Sequence, residues 1–303
     1  MDNRLIVITG PTAVGKTKLA ALFAYKNKGE ILSADSRQVY KGMDIGTGKD
    51  LADYVVDGMQ IPFHLIDIQE AGDKYFINQY FKDYVAAIRD IQNRGKLPIL
   101  CGGSGLYIET ALEGNHWSAI PVNKKLREQL EELTERELLR KVETIPQAIL
   151  QQIDIGTTKK IKRGIEIAEF LHTNPEPLRE LPDVQPIIFA LQLDRALVKK
   201  RIYERLIYRL ENGMIDEVEQ LLKNGISADI LKYYGLEYKW ITSYLLGEVD
   251  KAHMTDRLNI GIRQFAKRQM TWFRRMEKKG YQLNWLDASK PTEELAGNIQ
   301  KLI

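Results

Sequence analysis

A single cysteine, Cys101, in 303 residues excludes an intrachain disulfide and any zinc site built from clustered cysteines, a pattern that fits a reducing compartment. No stretch reaches the roughly 18 apolar residues needed to cross a bilayer, so no membrane-spanning helix is expected. The N-terminus runs into a strand-like segment without the character of a signal sequence, and a cytosolic protein is the expectation. Internal repeats and low-complexity tracts are absent, which excludes solenoids and propellers. A net charge of +3 identifies no partner by itself. With 44% hydrophobic and 28% charged residues, the chain suits one large α/β domain carrying a second, smaller one. Cys101 closes the apolar run Leu97-Pro98-Ile99-Leu100 and reads as a small buried strand residue rather than a nucleophile.

What is present begins at Gly10-Pro11-Thr12-Ala13-Val14-Gly15-Lys16-Thr17, between the apolar run Leu5-Ile6-Val7-Ile8 and a helical stretch starting at Lys16. At such a strand-to-helix turn, backbone N–H groups and the positive end of the helix dipole converge on one anion. Lys16 adds a point charge, and the Thr17 hydroxyl is placed to ligate a magnesium ion shared with the phosphates. Asp35 follows the next apolar run, and Gly102-Gly103-Ser104-Gly105 follows a later one, so both are expected on the rim of the phosphate loop at the carboxyl ends of the strands. A carboxylate there could hold magnesium, accept a proton from an incoming nucleophile, or cap a following helix; spacing leaves all three open.

Apolar runs near Leu5–Thr9, Ile31–Ala34, Leu65–Ile68, Leu97–Cys101 and Ile187–Leu193 alternate with helical stretches near Lys16–Tyr25, Ile77–Gln92 and Leu197–Glu211. This alternation predicts an α/β fold, a mainly parallel sheet with helices on both faces. Residues 121–180 break the rhythm and predict a small all-helical insertion, leaving 1–120 and 181–303 as the core. A last strand is expected near Gln282–Leu286. From Arg257 to Lys279 the chain carries Arg257, Arg263, Lys267, Arg268, Arg274, Arg275, Lys278 and Lys279 against Glu277 alone, with Phe265, Trp272 and Phe273 interleaved. That is either a helix that lies along a phosphate backbone or a solvated face whose aromatics turn to the core.

Five blocks in register carry a more specific signal: the phosphate loop, Asp35-Ser36-Arg37-Gln38-Val39-Tyr40 through Lys49, His64-Leu65-Ile66-Asp67, Pro98 to Tyr107, and Arg263 to Phe273. Together they resemble the tRNA dimethylallyltransferase (isopentenyltransferase) family, across nearly the whole chain. The resemblance implies a P-loop NTPase-like core and transfer of a dimethylallyl group from dimethylallyl diphosphate to N6 of the adenosine immediately 3′ of a tRNA anticodon, without ATP being consumed. It implies Gly10 to Thr17 as the diphosphate cradle, Mg²⁺ on Thr17, and Arg201 and Arg205, one helical turn apart, as further diphosphate ligands. Asp35 becomes the proton acceptor, while Ser36, Arg37, Gln38 and Ser104 contact the target base and backbone. Arg127 and Lys159-Lys160-Ile161-Lys162-Arg163 belong to an insertion that clasps the anticodon stem-loop. Lys267, Arg268, Gln269, Thr271 and Arg274 extend the footprint, and a monomer is expected.

The chain departs from the family pattern at Phe63, Ser104, Tyr234-Gly235-Leu236-Glu237 and Ile262, and in a shorter insertion. None of these positions is Lys16, Thr17 or Asp35. The rival readings are a small-molecule phosphotransferase, an adenylate isopentenyltransferase acting on free nucleotides, and a non-catalytic RNA-binding protein with an enzyme's fold.

Overall fold

Along the first strand, β1 (Arg4–Thr9), Leu5 and Val7 join one buried cluster while Ile6 and Ile8 join another. Successive side chains of a strand point to opposite faces, so a strand apolar at every position must be covered on both. The computed structural model describes residues 3–114, 120, 122–151, 153, 155–174 and 181–303. After β1 come α1 (Lys16–Asn27), β2 (Glu30–Ser33), a small hairpin of β3 (Val55–Val56) and β4 (Met59–Gln60), β5 (Phe63–His64), α2 (Ile77–Asn93), β6 (Pro98–Gly102) and α3 (Gly105–Glu113). Within the next segment lie α4 (Lys124–Glu131), α5 (Glu135–Glu143), α6 (Gln147–Leu150) and α7 (Thr158–Thr173). The chain continues with β7 (Gln185–Gln192), α8 (Arg195–Glu211), α9 (Met214–Lys223), α10 (Ala228–Tyr233) and α11 (Leu236–Leu245). It closes with α12 (Lys251–Lys278), β8 (Leu283–Asp287) and α13 (Thr292–Gln300).

Six strands form one parallel sheet in the order β5-β2-β6-β1-β7-β8. One face packs against residues of α2, α3 and α8 to α12, the other against residues of α1 and α13. The expected last strand is present as β8, and Cys101 is buried in β6, where burial pushes its thiol up to about 12. The expected strand at Leu65–Ile68 is not one. Pairing stops at His64, and Leu65 and Asp67 adopt φ of 66° and 54°, left-handed conformations that cannot extend a strand. Leu65 and Ile66 are buried all the same, so a buried loop imitated a strand's apolar signature.

The chain divides into two units, Met1–Glu113 with Pro182–Ile303, and Gly114–Leu181. The second unit contains the expected insertion and starts seven residues earlier than position 121. Pro121 and residues 175–180, at the two ends of the expected insertion, lie outside the described residues. The unit has its own core of Leu126, Leu130, Leu138, Val142, Ile145, Ile161 and Ile165. Ile161 therefore turns inward, not toward a ligand: consecutive helical residues point about 100° apart, and a five-residue run cannot share one face.

Buried Glu30 on β2 fastens the far edge of the sheet. Its carboxylate accepts from the Arg94 guanidinium at 2.7 Å through Nη2, with a second contact to Nη1, and lies 2.8 Å from His64 Nε2 on β5. Hydrogen bonding by Arg94 holds Glu30 below the ordinary carboxylate value of 4.5. A pKa lowered by folding contributes stability above the unfolded value and loses it as pH falls through the folded one. Glu30→Gln should cost about 1–2 kcal/mol at neutral pH, the lower range for charge-assisted bonds because Arg94 is partly exposed. In urea melts the cost should shrink as pH falls through the lowered folded-state value, where the wild-type carboxyl becomes protonated too; a pH-independent difference would remove the ion pair as its cause.

Candidate active site

The phosphate loop follows the carboxyl end of β1, where Gly10 has φ 150° and a Cβ would lie 2.8 Å from the Leu191 carbonyl. Only glycine passes this close to β7. Gly15, at φ 88°, starts α1, so the loop's amides and the helix dipole address one space. Lys16 Nζ donates to the Pro11 carbonyl at 2.7 Å, curling the ammonium back over the loop. Burial lowers its pKa to about 8, with Arg205 adding to the effect and Cys101 and Asp35 opposing it. A buried cation short of a counter-ion is what an arriving polyanion supplies.

Asp35 stands just past β2, which pairs with β6, as β6 pairs with β1; phosphate loop, carboxylate and glycine turn thus share one rim. Its Oδ1 accepts from Arg37 N at 2.9 Å, and a turn follows in place of a helix, so helix capping is excluded as its role. Oδ2 has no protein partner among the described residues. Ser36 N donates to Ser104 Oγ at 3.4 Å. Gln38 accepts from Ser33 Oγ at 3.1 Å and donates to the Gly48 carbonyl at 3.1 Å. Asp35, Ser36, Arg37, Gln38, Gly48 and Ser104 line one cavity of 470 Å³ together with Lys16, Thr17, Asp53, Arg205, Glu237, Phe265, Arg268 and Gln269.

Another stretch of the cavity wall, Gly46 to Gly48, belongs to a loop pinned from two sides. Fully buried Lys49 donates to the Tyr40 carbonyl at 2.7 Å and Asp44 Oδ1 at 2.6 Å, and pairs with Asp67. From α9, Glu217 accepts the backbone N–H groups of Asp44, Ile45 and Gly46 at 2.7, 2.7 and 3.0 Å, plus the Tyr238 hydroxyl at 2.7 Å. No sequence reading singled out Glu217, because its partners are amides 171 to 173 residues away.

Gln269 is a correction. As an RNA contact it would stand exposed; instead it is buried, accepting from Thr12 N at 2.8 Å and donating to the Gly103 carbonyl at 2.9 Å. A Cβ on Gly103 would come within 2.3 Å of its Nε2, and one on Gly105 within 2.2 Å of Trp272. The second glycine motif therefore admits α12 to the sheet edge rather than cradling an anion. Phe273 is buried and Trp272 lies beneath the Arg275 guanidinium, 3.9 Å from the ring centre, so of the interleaved aromatics only Phe265 reaches the cavity. Thr271 gives its hydroxyl to the Lys267 carbonyl of its own helix at 3.1 Å.

On α8, Arg205 bonds the Thr12 hydroxyl of the loop, and burial, with Arg209 beside it, pulls its pKa to about 10. Arg201 is exposed and lines only a neighbouring cavity of 1010 Å³, while Arg209, unpredicted, lines both. The four-residue spacing of 201 and 205 continued to 209 would have found it. Burial also pushes the carboxyls of Asp53 and Glu237 up, the latter against the pull of Arg205 and Arg209.

The described residues contain no group of three or more His, Cys, Asp or Glu placed for a metal. Thr17 lines the same cavity as Asp35, Asp50 and Asp53, and a hydroxyl there suits a hard cation whose remaining ligands are phosphate oxygens and water, the usual situation of magnesium.

The profile of the IPP transferase family matches residues 38–276. The chain is also 49% identical to tRNA dimethylallyltransferase 1 of Porphyromonas gingivalis over 300 residues, 98% of each protein. The chain belongs to the IPP transferase family. Parabacteroides distasonis has another such relative, also named tRNA dimethylallyltransferase 1, 47% identical over 99% of this chain and 97% of its own length. The solved full-length tRNA isopentenylpyrophosphate transferase of Bacillus halodurans matches with TM-score 0.72 and 30% identity, over 99% of this chain and 95% of that one. A eukaryotic dimethylallyltransferase solved acting on tRNA shares the fold, with TM-score 0.75 and 24% identity over 95% of this chain and 74% of that one.

In this IPP transferase the basic faces are thinner than the sequence suggests. Arg127 and Arg163 both pair with Glu166, whose side chain is 1% exposed, and Lys162 pairs with Glu131 at 2.7 Å. Lys159 and Lys160 are exposed on α7. Arg275 on α12 and Lys279 just past its end pair with buried Glu109 at 2.7 and 3.0 Å, whereas Lys267, Arg268 and Arg274 are exposed. No helix among the described residues is long and apolar enough to cross a membrane.

Gln269→Leu should leave the Thr12 amide and the Gly103 carbonyl unpaired, at about 1–3 kcal/mol for each group. Pyrophosphate affinity by calorimetry should fall while tRNA affinity by filter binding holds. The reverse pattern would restore Gln269 to the RNA surface.

Proposed function

We propose that this chain transfers the dimethylallyl group of dimethylallyl diphosphate to N6 of the adenosine immediately 3′ of a tRNA anticodon, releasing diphosphate. The observation that carries the reading is that Lys16, Thr17 and Asp35 line one cavity, with phosphate loop and carboxylate on a shared rim. Loop amides, Lys16 and Arg205 take the diphosphate oxygens, so charge growing on the leaving oxygen meets donors already in place. The N6 amine attacks C1 of the allyl group: the N6–C1 bond forms, the C1–O bond breaks with its electron pair going to diphosphate, and the amine proton passes to Asp35 Oδ2. That amine is barely basic, so positioning counts as much as proton removal. When bound through Thr17, magnesium neutralises diphosphate charge.

The target base leaves the anticodon-loop stack to reach this cavity, past Ser36, Arg37, Gln38 and Ser104 on the rim. Arg268 and Phe265 carry the surface of α12 to the same opening, where a cation and an aromatic suit a splayed single strand. Exposed Lys159 and Lys160 on the insertion, and Lys267, Arg268 and Arg274 on α12, hold phosphates of the stem-loop. The proposed setting is a monomer working where tRNA and allylic diphosphate meet in the cytoplasm.

Labelled dimethylallyl diphosphate offered with tRNA, AMP or ATP tests this directly. Label should enter tRNA alone, with no ATP required; label in free nucleotide, or phosphoryl transfer from ATP, would replace this reading with a rival. In single turnovers with saturating tRNA, Asp35→Ala should slow transfer about 10²- to 10⁴-fold with tRNA affinity nearly unchanged. Neutralising Lys159 with Lys160, or Lys267, Arg268 and Arg274, should flatten the salt dependence of tRNA binding. The expected loss is about 0.7 to 0.9 in the slope of log K against log salt for each phosphate contact. An unchanged slope in both variants would mean these side chains are merely solvated.

A further inference from the structure

We infer that Arg209 is a third, latched member of the diphosphate site: in the ligand-free protein Asp50 holds its guanidinium, and a bound diphosphate takes it over. The inference rests on the phosphate-loop reading above and extends it to a residue pair that reading does not use.

Four features support the exchange. Arg209 is eight residues, about two helical turns, beyond Arg201 on α8 and lines both cavities beside the loop, sharing that boundary with Ala13, Gly15, Asp50, Asp53 and Arg205. Its Nη2 lies 2.8 and 2.7 Å from the two Asp50 oxygens, and a guanidinium nitrogen that donates to a carboxylate can donate to a phosphate equally. The partners differ in solvation: the Arg209 side chain is 13% exposed, Asp50 46%. A half-solvated single charge is a weak competitor for a buried guanidinium against a multiply charged diphosphate in the same cavity. Finally, the contact is built at some conformational cost. Asp50 sits at φ 43°, and Arg209 packs where a Cβ on Gly48 would lie 2.7 Å from Nη2, so the loop makes room for the guanidinium. Arg205, committed to Thr12, has no carboxylate within ion-pair distance among the described residues. Asp50 is the one carboxylate ion-paired to these two cations among the described residues, while burial pushes the nearby carboxyls of Asp53 and Glu237 up, so the pair is left short of negative charge.

The test is calorimetric titration of the full chain with inorganic pyrophosphate and magnesium, without tRNA. Arg209→Gln should weaken binding about tenfold to a hundredfold, the span for one charge-assisted contact, with Arg209→Lys in between. Asp50→Asn should tighten binding about threefold, because it removes the competitor and keeps the shape. Opposite signs for the two sites identify the exchange. If the pair merely fastens the loop to α8, both substitutions weaken binding together; that result, or an unaffected Arg209→Gln protein, overturns the inference. Lys16→Ala separates the two readings: it should abolish binding whatever Arg209 does. Retained binding there sinks the phosphate-loop reading, and the inference with it.

Discussion

One buried amide joins the parts that must act together. Gln269 presents an acceptor to the Thr12 amide and a donor to the Gly103 carbonyl, so α12, the phosphate loop and the turn after β6 are held by a single side chain. A primary amide suits this place because it offers both polarities from one plane and needs no counter-ion in a buried setting. Gly103 and Gly105 are its complement, since any side chain there would push α12 off the sheet edge. The helix that carries Arg268 to the cavity is thereby registered against the loop that binds phosphate.

Around that joint the cavity is left deliberately unbalanced in charge. Lys16 and Arg205 are desolvated and held below their ordinary pKa values, while Asp53 and Glu237 are pushed above theirs. Each of these groups is paying for burial without an adequate partner, and a diphosphate relieves the cations. The buried charges elsewhere in the core unit, Glu30, Lys49 and Glu109, are matched. Lys49 has three oxygen partners, Glu217 four donors, and Glu30 is ringed by Arg94 and His64. Matched charges hold the walls still, and unmatched ones mark where the ligand goes.

The same contrast sorts the basic residues. Arg127 and Arg163 spend their charge on Glu166, and Arg275 and Lys279 on Glu109, so they brace helices. A count of lysines and arginines along a segment overstates its footprint on RNA wherever an acid far away in sequence faces it.

Lys16, Thr17, Asp35 and the alternation of strands with helices were legible in the sequence, because a phosphate loop and a parallel sheet are set by local spacing and a period of two. The insertion was legible too, from its break in that rhythm, as was the family. Other assignments needed the folded chain. Leu65 and Ile66 read as a strand, since burial and strand pairing leave the same apolar trace and only the positive φ values separate them. Gln269 and Ile161 read as surface within basic stretches, and Phe273 was left open between an RNA platform and the core, since which side of a helix faces inward depends on what packs there. Glu217 and Asp50 carried no readable signal, and Arg209 only its four-residue spacing from Arg205. Their partners lie 159 to 173 residues away, and only the sheet order that brings distant loops to one rim decides such pairs.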